Sequence, residues 1–149
     1  MEHNYIIGTD FDGVLCKNHE IVHDKWNTMN KEKREKYKKD LKENLIKAIP
    51  YYKNLELFRE KMFVIITARH EDMKKITDDW CSKQELKPMA IYYMQKGNTL
   101  DNMIEHKINT ILEHNIKVFY EDNPKIVKQL RKNCPDCTVV EVTNETYCY

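Results

Sequence analysis

Residues 5–15 read YIIGTDFDGVL: a short apolar run with β-branched and aromatic members, then acids at alternate positions, then a glycine. The run predicts a buried β-strand over Tyr5 to Gly8, and Asp10 and Asp12 follow its end directly. At i, i+2 spacing both carboxylates point the same way if extended geometry persists that far. Two acids on one side need a cation or a proton. Gly13 then allows a turn in which backbone N–H groups can face a bound anion. A solvated acidic turn is the plain alternative for a lone DxDG.

Comparable runs recur at Met62 to Ile66, Met89 to Met94, Ile116 to Tyr120 and Thr138 to Val142, which makes five strands. Between the last four lie segments with helical spacing: Glu71 to Glu85, with Met73, Ile76 and Trp80 on one face, then Leu100 to Asn115, then Pro124 to Asn133. Strands alternating with helices imply right-handed crossovers, so the class is α/β, a parallel sheet with helices on both faces. The stretch from Cys16 to Ile49 breaks the rhythm and ends in a strongly charged helix, Asn30 to Ala48. Its apolar members Tyr37, Leu41, Leu45 and Ala48 predict one docked face. We read about 17–49 as a small helical insertion in a single domain spanning 1–149, and Pro50 as the first turn of a helix running to about Lys61.

Composition agrees with one globular unit. The chain has 149 residues, 41% hydrophobic and 33% charged, with 25 basic and 24 acidic side chains. That balance excludes a disordered chain, and a length of this order buries roughly 70% of the unfolded surface. No run approaches the roughly 20 apolar residues needed to cross a bilayer, and MEHNYIIG is too polar for a secretory signal. A cytoplasmic location with reduced cysteines is therefore expected. A pI near 7.6 excludes a generic nucleic-acid coat. Only three glycines remain, Gly8, Gly13 and Gly97, so each is expected where the backbone needs it.

Three further clusters carry chemistry. The second apolar run ends in Thr67, Ala68 and Arg69, offering a hydroxyl, free N–H groups and a guanidinium just before a helix, a ready phosphate site. Thr67 as an ordinary helix cap is the competing reading. The fourth run ends in Glu121 and Asp122, with Asn123 and Pro124 as capping and first-turn residues. Favourable charge ahead of a helix N-terminus would also explain that acid pair. On the helix from Leu100, at about 100° per residue, Lys107 falls near 340°, inside the apolar stripe that faces the sheet. There it must snorkel or meet an anion.

With the first strand central and the second and fourth beside it, all these groups meet at the carboxyl edge of the sheet. Carboxylates beside a threonine, a lysine and free N–H groups suit Mg²⁺ and a phosphate together. The matching chemistry is phosphoryl transfer. One aspartate attacks phosphorus; the other protonates the leaving oxygen and later activates water.

GTDFDGV, IITAR, Lys107 within EHKINTIL, and FYEDNP together resemble the four motifs of the haloacid dehalogenase (HAD) superfamily, in order and across residues 5 to 142. The resemblance implies a HAD-like Rossmannoid three-layer sandwich with strand order 3-2-1-4-5 and a minimal cap. It implies Asp10 as the nucleophile and Asp12 as general acid and base. It further implies phosphate binding by Thr67 and Lys107, and Mg²⁺ held by Asp10, the Asp12 carbonyl and Asp122. Glu121 is left as a direct ligand or an orienter of water. More loosely, the second half is similar to the 3'-phosphatase domain of bacteriophage polynucleotide kinase, through Arg69, a helix with Thr77 and Trp80, and the loop KGNTLDN. No GxxxxGK[ST] loop for a kinase half is present.

The expected substrate is thus a phosphorylated small molecule or a nucleic-acid 3' end, with no membrane and no obligate protein partner inferred. A deoxyribonucleotidase-like enzyme for small nucleotides is the near alternative. A receiver-like phospho-accepting module is the distant one, disfavoured because the third strand leads into Gln95 and Lys96 with no acid. Cys16, His19 and His23, or Cys134 with Cys137, superficially suggest zinc, but neither group supplies four ligands. His19 and His23 read instead as lining the site entrance or capping the flap. The seven basic residues between 31 and 42 read as a solvated face or, less simply, a guide for polyanions.

Overall fold

The computed structural model describes residues 5–17, 29–45 and 47–144. Its strands are β1 (Ile7–Thr9), β2 (Phe63–Ile66), β3 (Ala90–Tyr92), β4 (Val118–Glu121) and β5 (Thr138–Glu141). Among the helices, α1 (Lys31–Leu45) and α2 (Tyr52–Leu55) precede β2, α3 (Lys74–Lys83) precedes β3, and α4 (Leu100–Glu113) and α5 (Pro124–Asn133) flank β4. All five strands are parallel, in the order β3-β2-β1-β4-β5. Ile7 lies opposite Phe63 on one side and Val118 on the other. The α/β class and the strand order are as the sequence leads one to expect.

Alternation along β2 builds two cores. Phe63 and Ile65 pack with Leu55, Phe58 and Trp80 on one face, while Val64 and Ile66 pack with Ile111, Ile126 and Leu130 on the other. Each such side chain contributes about 1.5–3 kcal/mol by leaving water. Trp80 is fixed further by edge-on contact with Phe11 at 5.0 Å and by its indole N–H, which donates to the Ala48 carbonyl at 3.0 Å. On the opposite face, a Cβ added to Gly8 would lie 3.0 Å from both Ile116 and Phe119, so β1 sits close to its neighbours.

Helix ends follow local chemistry. Asn123 accepts from the N–H groups of Lys125 and Ile126 ahead of Pro124, and Thr99 accepts from Asn102. Two helices differ from expectation. Pro50 forms a bridge to Cys16 instead of opening a helix, and α2 lasts only Tyr52–Leu55 before a series of turns ending at Glu60, with φ 61°. The reason is that Lys17 N–H donates to Ile49 O and Tyr51 N–H to Leu15 O, holding residues 49–51 extended. The same bonds pinch together the two ends of the 17–49 segment. Helix α3 begins as a 3-10 turn, Glu71–Met73, and buries Thr77, Trp80 and Cys81, whereas Met73 and Ile76 stay half-buried.

Tyr37 is half-buried, while the expected contacts of Leu41 and Leu45, like His19 and His23, fall outside the described residues. Among the described residues, no helix is long and apolar enough to cross a membrane.

Candidate active site

Two strand ends, those of β1 and β4, supply the acids. Asp10 stays on the sheet through its N–H to the Tyr120 carbonyl, 2.9 Å, and its Oδ1 accepts the Phe11 N–H at 2.8 Å. Glu121 closes β4 and Asp122 follows it. One carboxylate oxygen from each of Asp10, Glu121 and Asp122 lies within 4.8 Å of the others. Lys107 does not snorkel: only 2% exposed, its Nζ donates to Glu121 Oε2 at 2.7 Å and stands 3.4 Å from Asp10 Oδ1. A helix stripe aimed at the sheet thus delivers a cation to buried acids.

Burial, then Glu121, raises the Asp10 carboxyl to about 7, with Lys107 pulling the other way. Asp122 is also raised to about 7, by burial first and then by Asp10. Burial raises Glu121 against the opposing pull of Lys107. Burial would lower Lys107, but Asp10 and Glu121 outweigh it, so its pKa rises and the ammonium persists. One ammonium beside three carboxylates leaves room for a further positive charge. The donor set is all oxygen, which fits a hard divalent cation. Gly13 shapes the same corner: at φ 90°, its missing Cβ would sit 2.2 Å from Asp122 Oδ2.

Asp12 is not carried on extended strand: the strand has ended by Thr9 and the turn at Gly13 follows, while the Asp12 charge still reaches Asp10 and helps to raise its pKa. Arg69 holds Asp12 through two hydrogen bonds, Nε to Oδ2 at 2.8 Å and Nη2 to Oδ1 at 2.7 Å. The Cys16 thiol adds a 3.6 Å contact to Oδ1, and burial, then Asp12, pushes that thiol well above its usual pKa. Arg69 is itself buried, donates Nη1 to Thr77 Oγ1 at 3.0 Å and lies over the Phe11 ring at 4.2 Å. Arg69, expected at a phosphate site, is thus tied to Asp12, the expected general acid and base.

Two backbone expectations also change. The Gly13 N–H donates to Cys16 O at 2.8 Å, so glycine serves here by leaving space for Asp122 and by adopting the turn, not by presenting its amide to an anion. Thr67 is no helix cap, since the helical turns begin at Glu71; its Oγ1 accepts the Arg69 N–H at 3.1 Å, with half-buried Ala68 between them. Nearby, the His106 ring is 3.1 Å from the Tyr92 carbonyl, and burial lowers its pKa.

Several site residues escaped sequence reading. Cys16 and Thr77 were noticed for other reasons, and their bonds to Asp12 and Arg69 span turns that no periodicity encodes. Asn54 and Asn144 were not noticed at all. Asn54 Nδ2 donates to Val14 O at 2.8 Å and to Asn144 Oδ1 at 3.0 Å, while Asn144 Nδ2 donates to Gly13 O. The one available signal was an asparagine two residues after each of the apolar runs Tyr51–Tyr52 and Thr138–Val142. Cys134 and Cys137 are buried and free, and among the described residues the acid triad is the one cluster of metal-type donors.

No family model matches the chain, and no curated protein matches it. Solved structures do match. Two chains from structures of the Pnkp1/Rnl/Hen1 complex, one described as an RNA repair complex, superpose with a TM-score of 0.66 at 10% identity. The match covers 93% of this chain and 42% and 46% of those chains, so this chain spans less than half their length. The likeness is one of fold.

Proposed function

We propose that the chain is a Mg²⁺-dependent phosphatase of the HAD type, hydrolysing a phosphate monoester at a polynucleotide 3' end. The observation that carries this reading is the convergence of Asp10, Glu121, Asp122 and buried Lys107 at the carboxyl edge of the sheet, beside Asp12 on the Arg69 clasp. The polynucleotide substrate draws support from the match to chains of an RNA repair complex and from the loose resemblance to a 3'-phosphatase domain. In those structures the matching chains stand among other proteins, so partners belong to the same reading.

Asp10 and Asp122, with Glu121 beside them, would hold the Mg²⁺, which when bound offsets charge on phosphate oxygens. Asp10 Oδ attacks phosphorus and forms an aspartyl-phosphate as the bond to the leaving oxygen breaks. Asp12, having taken up a proton from solvent on one carboxyl oxygen, passes it to that leaving oxygen. Water then attacks phosphorus, Asp12 takes the water proton, and the bond from Asp10 to phosphorus breaks to release inorganic phosphate. Lys107 neutralises charge beside the nucleophile, and the Thr67 hydroxyl lies at the same edge to meet phosphate oxygen. Arg69 orients Asp12.

The test is phosphate release with Mg²⁺ from a 3'-phosphorylated oligonucleotide, nucleoside monophosphates and an aryl phosphate. Preferred turnover of the oligonucleotide, abolished in Asp10→Asn, is expected. Preference for free nucleoside monophosphates would favour the nucleotidase alternative, and undiminished activity in Asp10→Asn would refute the nucleophile.

A further inference from the structure

The turn that carries Asp12 contains an unusual weakness. Gly13 adopts φ 90°, and a glycine peptide is the one most free to reorient. On its amide side the Gly13–Val14 peptide is held only by a long bond, Val14 N–H to Phe11 O at 3.4 Å. The next peptide is held better, by Leu15 N–H to the same carbonyl at 2.9 Å. Val14, Leu15 and Cys16 are fully buried, so the carbonyls of this turn must find partners inside the protein.

Two distant side chains provide them. Asn144, just past β5, donates to the Gly13 carbonyl, and Asn54 of α2, 4% exposed, donates to the Val14 carbonyl at 2.8 Å. The two amides are joined to each other at 3.0 Å, making one clamp across two consecutive peptides. We propose that Asn54 and Asn144 are positioning residues, whose amides hold the Gly13 and Val14 carbonyls and so keep the turn bearing Asp12 in its working orientation. This rests on the phosphatase reading for its catalytic meaning, although the clamp itself is a matter of backbone order. The clamp acts on backbone carbonyls of the turn, so removing either amide leaves the carboxylates of Asp10, Glu121 and Asp122 themselves unaltered. What changes is the aim of Asp12, and a misplaced catalytic group costs turnover more than binding.

The experiment uses Asn144→Ala, which removes a half-buried side chain beyond the last strand and is the milder change. Asn54→Ser serves as the second variant. Amide hydrogen exchange is followed at Val14 and Leu15 and in the strands, alongside kcat, KM and Mg²⁺ dependence on the best phosphomonoester. The expected result is local exchange faster by about tenfold or more, with kcat down by about ten- to a hundredfold and KM and Mg²⁺ dependence within about twofold. Unchanged exchange at Val14 and Leu15, or unchanged kcat, overturns the proposal. Equal acceleration across all strands, with kcat falling only as folded protein is lost, also overturns it. A wild-type protein inactive on every phosphomonoester would refute the phosphatase reading, while local exchange would still decide the clamp.

Discussion

Replacing Lys107 with methionine removes a buried cation while keeping the shape of the side chain. Its Nζ lies 2.7 Å from Glu121 and 3.4 Å from Asp10. At an effective dielectric near 20 these contacts are worth about 6 and about 5 kcal/mol. Returning the ammonium to water recovers several kcal/mol of desolvation, so a net loss of about 3–5 kcal/mol is expected, as for other broken buried pairs. Urea unfolding followed by circular dichroism at pH 7.5 reads this as a lower midpoint at unchanged slope. Glu121→Gln in the same background should cost less than in the wild type, because its charge has already lost its partner.

The pH dependence has a definite sign. Asp10 is raised from 3.8 to about 7 even with Lys107 present, and losing the ammonium pushes it higher. A carboxyl whose folded pKa exceeds its unfolded one binds more protons when folded, so its destabilising effect is full above the folded pKa and fades as pH falls towards 3.8. The variant should therefore regain stability relative to wild type between pH 8 and pH 5. A loss below about 1 kcal/mol, or one independent of pH, would refute the buried ion-pair argument.

Gly13→Ala must place a Cβ against Asp122 at φ 90°; a loss of about 2–4 kcal/mol is expected, with weaker Mg²⁺ stabilisation in thermal unfolding. Mg²⁺ should raise the melting temperature of wild-type protein more at pH 8 than at pH 5.5, because Asp10 and Asp122, both raised to about 7, must lose protons to bind it; an equal rise at both values would count against the acid triad as the metal site. Arg69→Lys keeps the charge but loses the fork on Asp12, and should lower kcat by about a hundredfold without altering Mg²⁺ affinity, measured by calorimetry.

Most of the sheet was legible because a buried parallel strand must be apolar along its length, and five such runs stand out from a lysine-rich chain. Strand boundaries shifted by at most two residues, as at β4, which extends to Glu121 instead of ending at Tyr120. Lys107 was legible for a similar reason: a charge inside an apolar stripe requires a partner. Asp12 was not, since its direction depends on a single glycine turn and on Arg69, 57 residues away. The short α2 was missed because Pro50 suits both a helix start and an extended bridge, and backbone bonds to Leu15 and Lys17 decide between them. Residues that act by donating to a carbonyl, such as Asn54, leave no periodic trace.

The placement of β1 governs how this protein can be made. Of the five strands of the sheet, the one translated first is the middle one, and opposite its Ile7 stand Phe63 and Val118. A nascent chain must therefore keep an apolar segment unpaired on one side until well over a hundred residues have been translated, which slows folding and favours protection by a chaperone. Moving that strand by circular permutation, so that it is synthesised between its partners, should shorten the wait and speed refolding without altering the finished sheet.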